Sequence, residues 1–279
     1  AELKALGVEG IITRGVVTQD QMRRDEYTEL LLDTALRHLG KGSVALGWSF
    51  DAKANWISED YRNKIMGEVL VYIQAHRGHP ALLIWAVGNE AIGFMKDKKQ
   101  KIAYAQFYEE LVQRIRMIDS NHPVMIREIN LEGLEYAEKY MPTLVKYGIY
   151  GVNSYEQTEK NLDKLRKGVS VSDRMPVMFT EYGPNGWWEK NIPGRPEQYL
   201  ERWRAISRQI GFGFVFAFGS GEYATGREKD KEWFSLHEPD GRRKPILERL
   251  VQTWKEGKEE LRVVPLGAKK ASSPSTSLG

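Results

Sequence analysis

The sequence contains no cysteine. That excludes disulfide bonds, a thiol nucleophile and a zinc–thiolate centre. It has no apolar run approaching the ~18 residues of a membrane span. It also lacks a strong charge of one sign, since 41 basic residues against 38 acidic ones leave a net charge of +3. Such a mixed surface sets up no field to gather nucleic acid or an anionic membrane, so neither is expected as a partner. The five histidines (His38, His76, His79, His122 and His237) show no paired ligand spacing, and no metal site is expected. His76 and His79, at a helix end, read as structural. No G-x-S-x-G elbow occurs, which disfavours a serine hydrolase. The stretch "GFGFVFAFGSG" is rich in glycine but carries Phe216 where G-x-G-x-x-G needs its last glycine. A dinucleotide fold is therefore disfavoured, and no cofactor is expected. The opening "AELKALGVEG" has no basic region followed by an apolar stretch and does not read as a signal peptide.

A folded core is well supported in a chain of 279 residues with 41% hydrophobic and 28% charged residues. Eight Trp and thirteen Tyr stand out. Such rings fill cores, and they are also surfaces on which sugar C–H faces pack. Along the chain, short β-rich apolar runs alternate with longer stretches of helical spacing. Strands are expected over residues 7–15, 43–51, 81–90, 123–130, 147–156, 175–183 and 211–219. Helices are expected over 26–40, 58–79, 100–122, 131–141, 158–169, 196–210 and 243–257. Gly40 suits a helix C-terminus, Ser58 and Asp60 a helix start, and Pro196 a first turn. After Gly257 the pattern fades, and residues 258–279 read as a tail or linker, leaving 1–257 as the domain.

Strands this continuously apolar are buried on both faces, as in a parallel sheet covered by helices. An open doubly wound sheet and a closed (β/α)8 barrel both fit a repeat of about 30 residues. Polar residues favour the barrel. They recur at strand tips: Arg14, Asp51, Asn89–Glu90, Asn130, Asn153–Tyr155, Glu181–Tyr182 and Glu222. A barrel gathers all such tips at one mouth, whereas an open sheet gathers only those beside its switch point. A barrel needs eight strands and seven are visible. The simplest account puts the first strand upstream of Ala1, with residues 1–6 as the tail of the first helix.

Two tips carry carboxylates. In "HPALLIWAVGNE" an apolar run ends in Asn89–Glu90, and in "PVMFTEYG" another ends in Glu181. At about 30 residues per unit the two are three βα units apart, so they face each other across the mouth. Glycoside hydrolysis needs such a pair: one group protonates the leaving oxygen, and the other attacks the anomeric carbon or activates water. The competing reading of Glu90, an acidic residue complementing a helix dipole, is disfavoured because the segment after it reads as loop until about Gln100.

Here the chain resembles the clan A glycoside hydrolases, with catalytic barrels of the family 2 and family 5 kind. "HPALLIWAVGNE" resembles their acid/base segment on the fourth strand. "GVNSYE" resembles the sixth-strand segment, and "PVMFTEYG" the seventh-strand nucleophile segment. "WFSLHEPDGRRKPILERL" resembles the stretch that closes family 2 barrels. The resemblance implies a retaining double displacement on a β-linked oligo- or polysaccharide, with Glu90 as acid/base and Glu181 as nucleophile. It implies that Asn89 binds the sugar 2-hydroxyl, that Arg14 pairs with the nucleophile, and that Tyr155 hydrogen-bonds it. A surface ion pair for Arg14 and a core position for Tyr155 are the competing readings. The eighth-strand tip, "FVFAFGSGE", offers Phe218 where the family usually has a Trp platform. Trp187 and Trp188 are substitute platforms, with Trp48 and Trp56 as further candidates, and loop packing is the alternative for all four. A transglycosylase, or a barrel that binds sugar without turning it over, stays open. A glycan substrate points to a secreted or periplasmic setting rather than a cytoplasmic one.

Overall fold

The computed structural model describes residues 2–13, 21–167, 175–183, 197–209, 213–215, 236–237 and 242–263. Among these residues seven strands occur: β1 (Ile11–Ile12), β2 (Val44–Trp48), β3 (Leu82–Val87), β4 (Met125–Ile129), β5 (Ile149–Ser154), β6 (Val177–Tyr182) and β7 (Gly213–Val215). Each pairs in parallel with the next in sequence, in the groups β1-β2-β3 and β4-β5-β6-β7. The groups meet at β3 and β4 through a parallel bridge between Trp85 and Val124. Strand order never reverses, as it would at the switch point of an open doubly wound sheet.

One apolar cluster shows that the sheet curls into a barrel. Ala45, Ile84, Ala86, Met125 and Met178 are buried together, with Ile12 and Ile149 packed against them. These residues come from six strands, and only a barrel interior brings six parallel strands to one point. Above them Arg127 of β4 crosses the interior, donating from Nη1 to the Thr13 carbonyl at the β1 tip (3.1 Å).

The helices cover the outer face. They include α1 (Glu2–Ala5), α2 (Gln21–His38), α3 (Glu59–His76), α4 (Ala91–Phe94) and α5 (Lys98–Ile118). They continue as α6 (Leu134–Tyr140), α7 (Pro142–Tyr147), α8 (Thr158–Arg166), α9 (Glu197–Gln209) and α10 (Pro245–Val263). On α5, Tyr104, Tyr108, Leu111, Val112 and Ile115 are buried at helical spacing, one stripe against the barrel. Burying each such side chain contributes about 2 kcal/mol relative to exposure. Ser58 caps α3, its side chain accepting from the Tyr61 N–H, and Asp97 caps α5 through Lys99 N–H.

Several boundaries differ from the sequence reading. The expected first strand is only two residues long among those described. α2 begins at Gln21, ahead of residue 26. The helix expected over 131–141 is α6, and a second short helix, α7, follows it because Pro142 starts one. The stretch after Glu90 is not all loop: α4 starts at Ala91 and α5 at Lys98. α10 runs past Gly257 to Val263. No helix among the described residues is long and apolar enough to cross a membrane.

Candidate active site

The β3 tip is built by a turn. After Val87 the chain enters the left-handed region at Gly88 (φ 86°). A Cβ there would lie 2.9 Å from Tyr104 Oη, so glycine is required twice over, by conformation and by space. Glu90 is also left-handed (φ 56°, ψ 22°), which costs a non-glycine residue about 1–2 kcal/mol. Hydrogen bonds hold the turn on both sides. Gly88 N–H donates to the Trp48 carbonyl of β2, and Glu90 N–H donates to the Arg127 carbonyl (2.8 Å). Arg127 Nε donates to the Gly88 carbonyl (2.9 Å), and Tyr108 Oη to the Val87 carbonyl (2.6 Å).

The β6 tip is built by a bulge. Val152 of β5 faces Phe179 and Asn153 faces Glu181, so Thr180 is an extra residue on β6. The pairing with β7 passes from Phe179 to Tyr182 and skips Thr180 and Glu181. Met178 lies in the barrel interior, while Phe179 and Tyr182 belong to the outer core. Strict alternation would send Glu181 outward with Phe179. The extra residue instead brings Thr180 and Glu181 together to the inner side, the kind of re-aiming for which bulges are used.

β5 lies between the two tips in its contacts. Asn153 Nδ2 donates to Glu90 Oε1 (3.0 Å) and to Asn89 Oδ1 (3.2 Å). Its Oδ1 accepts from Thr180 Oγ1 (2.7 Å). Just beyond the strand, Tyr155 Oη donates to Glu181 Oε2 (2.6 Å). Glu181 is 5% exposed, while Asn89, Glu90 and Tyr155 are half-buried. The two carboxylates are therefore each held by a donor from the end of β5 or the residue just beyond it, Glu90 by Asn153 and Glu181 by Tyr155.

A further carboxyl lies outside the barrel wall at the same level. Glu128 is fully buried and accepts from Ile92 N–H (3.0 Å) and Gly93 N–H (3.1 Å). Burial pushes its carboxyl up to about 8; the two backbone donors oppose this, and the nearby charge of Glu90 adds to it.

The structure brings together four of the residues expected from sequence: Asn89, Glu90, Tyr155 and Glu181. Arg14, Trp187, Trp188 and Phe218 lie outside the described residues, as does Glu222. Trp48 and Trp56 are not sugar platforms. They are 8% and 0% exposed, and Trp56 packs among Phe50, Tyr61, Tyr104 and Phe107. Asp51 closes a local turn by accepting from Lys53 N–H (2.8 Å). Thr180, Arg127 and Glu128 were not singled out from sequence as site residues, and Asn153 only as one of the polar strand tips. For Arg127 and Glu128 the signal is adjacent charges inside a buried strand, each needing a partner. Among the described residues no group of three or more acidic or histidine side chains is placed to hold a metal.

A sequential parallel barrel with carboxylates at two tips three strands apart has the form of the clan A glycoside hydrolase barrels. Residues 39–234 match the family model of the glycosyl hydrolases family 2 TIM barrel domain, and the chain belongs to that family. The match is to family 2, and the family 5 likeness has no support. Arg14 lies outside the matched residues. No protein of curated function is recognisably similar in sequence. Among solved structures, a family 2 β-galacturonidase from Eisenbergiella tayi bound to galacturonate superposes with a TM-score of 0.65 at 16% identity, over 91% of this chain and 46% of that one. A Bacteroides uniformis β-glucuronidase gives 0.64 at 15% identity, over 90% and 31%. A Bifidobacterium dentium β-glucuronidase complexed with coumarin-3-O-glucuronide gives 0.62 at 15%, over 91% and 42%. The chain spans less than half the length of each of these structures.

Proposed function

We propose that the chain is the catalytic barrel of a retaining glycoside hydrolase acting on a β-linked glycan. One observation carries this reading: a single strand end, Asn153 to Tyr155, hydrogen-bonds both tip carboxylates. In the first step Glu181 attacks the anomeric carbon. The glycosidic C–O bond breaks, and Glu90 gives its proton to the departing oxygen. In the second step Glu90 takes a proton from water, the water oxygen bonds to the anomeric carbon, and Glu181 leaves. Tyr155 steadies the attacking carboxylate, and Asn153 fixes the orientation of Glu90. Asn89, its Oδ1 engaged by Asn153, offers its amide N–H to the sugar 2-hydroxyl. Since the matched structures are named as a β-galacturonidase and β-glucuronidases, aryl β-galacturonides and β-glucuronides open the substrate panel, followed by neutral β-glycosides.

The test is azide rescue. Glu181→Ala should lose on the order of 10⁵-fold in kcat, and azide should restore turnover with an α-glycosyl azide as product. Glu90→Ala, assayed on a dinitrophenyl glycoside, should instead yield the β-glycosyl azide, because azide then attacks the covalent intermediate. Full activity in Glu181→Ala, or the same azide anomer from both variants, would overturn the assignment. A panel on which sugars bind without turnover would favour the non-catalytic barrel. Products built on an added sugar acceptor would favour a transglycosylase.

A further inference from the structure

Glu90 occupies the N-cap position of α4, yet its side chain makes no cap hydrogen bond. A side-chain oxygen at the N-cap accepts from one of the N–H groups two or three residues on. Here those are Ile92 and Gly93, and both donate instead to Glu128 on the neighbouring strand, one to each carboxylate oxygen. A Glu90 side chain that capped its own helix would be withdrawn from the mouth and from Asn153. Glu128 has no access to the mouth itself, since it is fully buried beside Gly133 and near the Tyr150 hydroxyl. Its strand neighbour Arg127 anchors the same turn at Gly88 and Glu90.

We propose that Glu128 is a positioning residue for Glu90: by capping α4 from the adjacent strand, it takes the donors that would otherwise draw the Glu90 carboxyl out of the mouth. This rests on the reading of Glu90 as the acid/base. Glu128 does not touch substrate and acts only through the direction in which Glu90 points.

The test separates acid catalysis from mere folding. Glu128→Ala and Glu128→Gln are assayed in the full chain on a phenyl glycoside, whose leaving group needs a proton, and on the 2,4-dinitrophenyl glycoside, which does not. General acid catalysis contributes about 10²–10⁴-fold, so Glu128→Ala should lose about 30-fold or more on the phenyl substrate and less than about 3-fold on the dinitrophenyl one. Glu128→Gln keeps the volume and one acceptor, and should show the same pattern at smaller size. Glu90→Ala serves as reference. If Glu90→Ala shows no dependence on the leaving group, the acid/base reading fails, and this proposal fails with it. If Glu90→Ala shows the dependence while the folded Glu128 variants lose equally on both substrates or on neither, only the positioning role fails. Loss of folding in both Glu128 variants, read by circular dichroism, would assign Glu128 to the core alone and overturn the proposal.

Discussion

The tips of β3 and β6 each deliver one carboxylate to the same mouth by opposite means. At β3 the strand ends, and a turn in the left-handed region throws Glu90 inward. The turn is held by hydrogen bonds from β2, β4 and α5, none of which involves the Glu90 side chain. At β6 the strand does not end. A single extra residue shifts the alternation, and Glu181 turns inward while still within the sheet. Glu181 is nearly enclosed, and Glu90 is half-buried. The proposed roles fit that contrast. A nucleophile must attack one carbon along one line, which favours a rigid strand. An acid/base must serve first a departing oxygen and then a water, which suits a carboxyl on a turn open to the mouth.

The comparison can be broken most forcefully at Gly88. Gly88→Ala should cost about 3 kcal/mol of stability, combining left-handed strain with the contact to Tyr104 Oη. It should depress turnover of the phenyl glycoside more than of the dinitrophenyl one, because only the β3 tip is disturbed. Adding Tyr104→Phe should recover part of the loss. It removes the clashing oxygen, which is buried with no hydrogen-bond partner among the described residues, and leaves the backbone strain. Urea unfolding of both variants checks this. Full recovery in the double variant would show that the turn carries no strain of its own.

The converse break is Tyr155→Phe, which strips a hydrogen bond from the β6 tip alone. A hydrogen bond to a charged group is worth about 1.5–3 kcal/mol, so kcat/KM should fall about 10- to 100-fold. The fall should be similar for both leaving groups, since the acid is untouched. A fall confined to the poor leaving group would mean that Tyr155 serves Glu90 and that the two tips are not separable.

The remaining break is a pH dependence confined to the β3 side. Glu128 is raised from 4.5 to about 8, so the folded chain holds a proton that the unfolded chain has released between those values. Stability from this group is complete below the unfolded value and is lost as pH rises through the folded one. Thermal melts should show wild type losing ground against Glu128→Gln between pH 5 and pH 9. A constant difference would mean that Glu128 is ionised throughout.

What was legible in the sequence follows from periodicity. The βα alternation and the apolar runs closing in Asn89–Glu90 and Glu181 place the fold and both carboxylates, because a strand and its tip are local patterns. Tyr155 came from the resemblance that "GVNSYE" carries, not from periodicity. The device at each tip was not. A bulge is defined by what lies across the sheet, and nothing in "VMFTEY" marks Thr180 as the extra residue. α4 is a single turn, too short to show a helical period, so Glu90 at its N-cap position was read as preceding a loop. Trp48 ends β2 and packs on Tyr72, while Trp56 sits in the loop after it, which the cluster with Phe50, Tyr104 and Phe107 draws inward. Burial there is a tertiary property that spacing does not record.

The most direct test of the roles given to the two tips is the configuration of the first product. Proton NMR on a β-glycoside from the panel, followed from the start of turnover, reads the anomer before it mutarotates. The β-anomer should appear first, because Glu181 attacks and water then displaces it. The α-anomer first would mean inversion in one step, with the carboxyls set about 6.5–9.5 Å apart around a water rather than about 5–5.5 Å. Glu181 would then be a base, and the covalent double displacement proposed for it would be wrong.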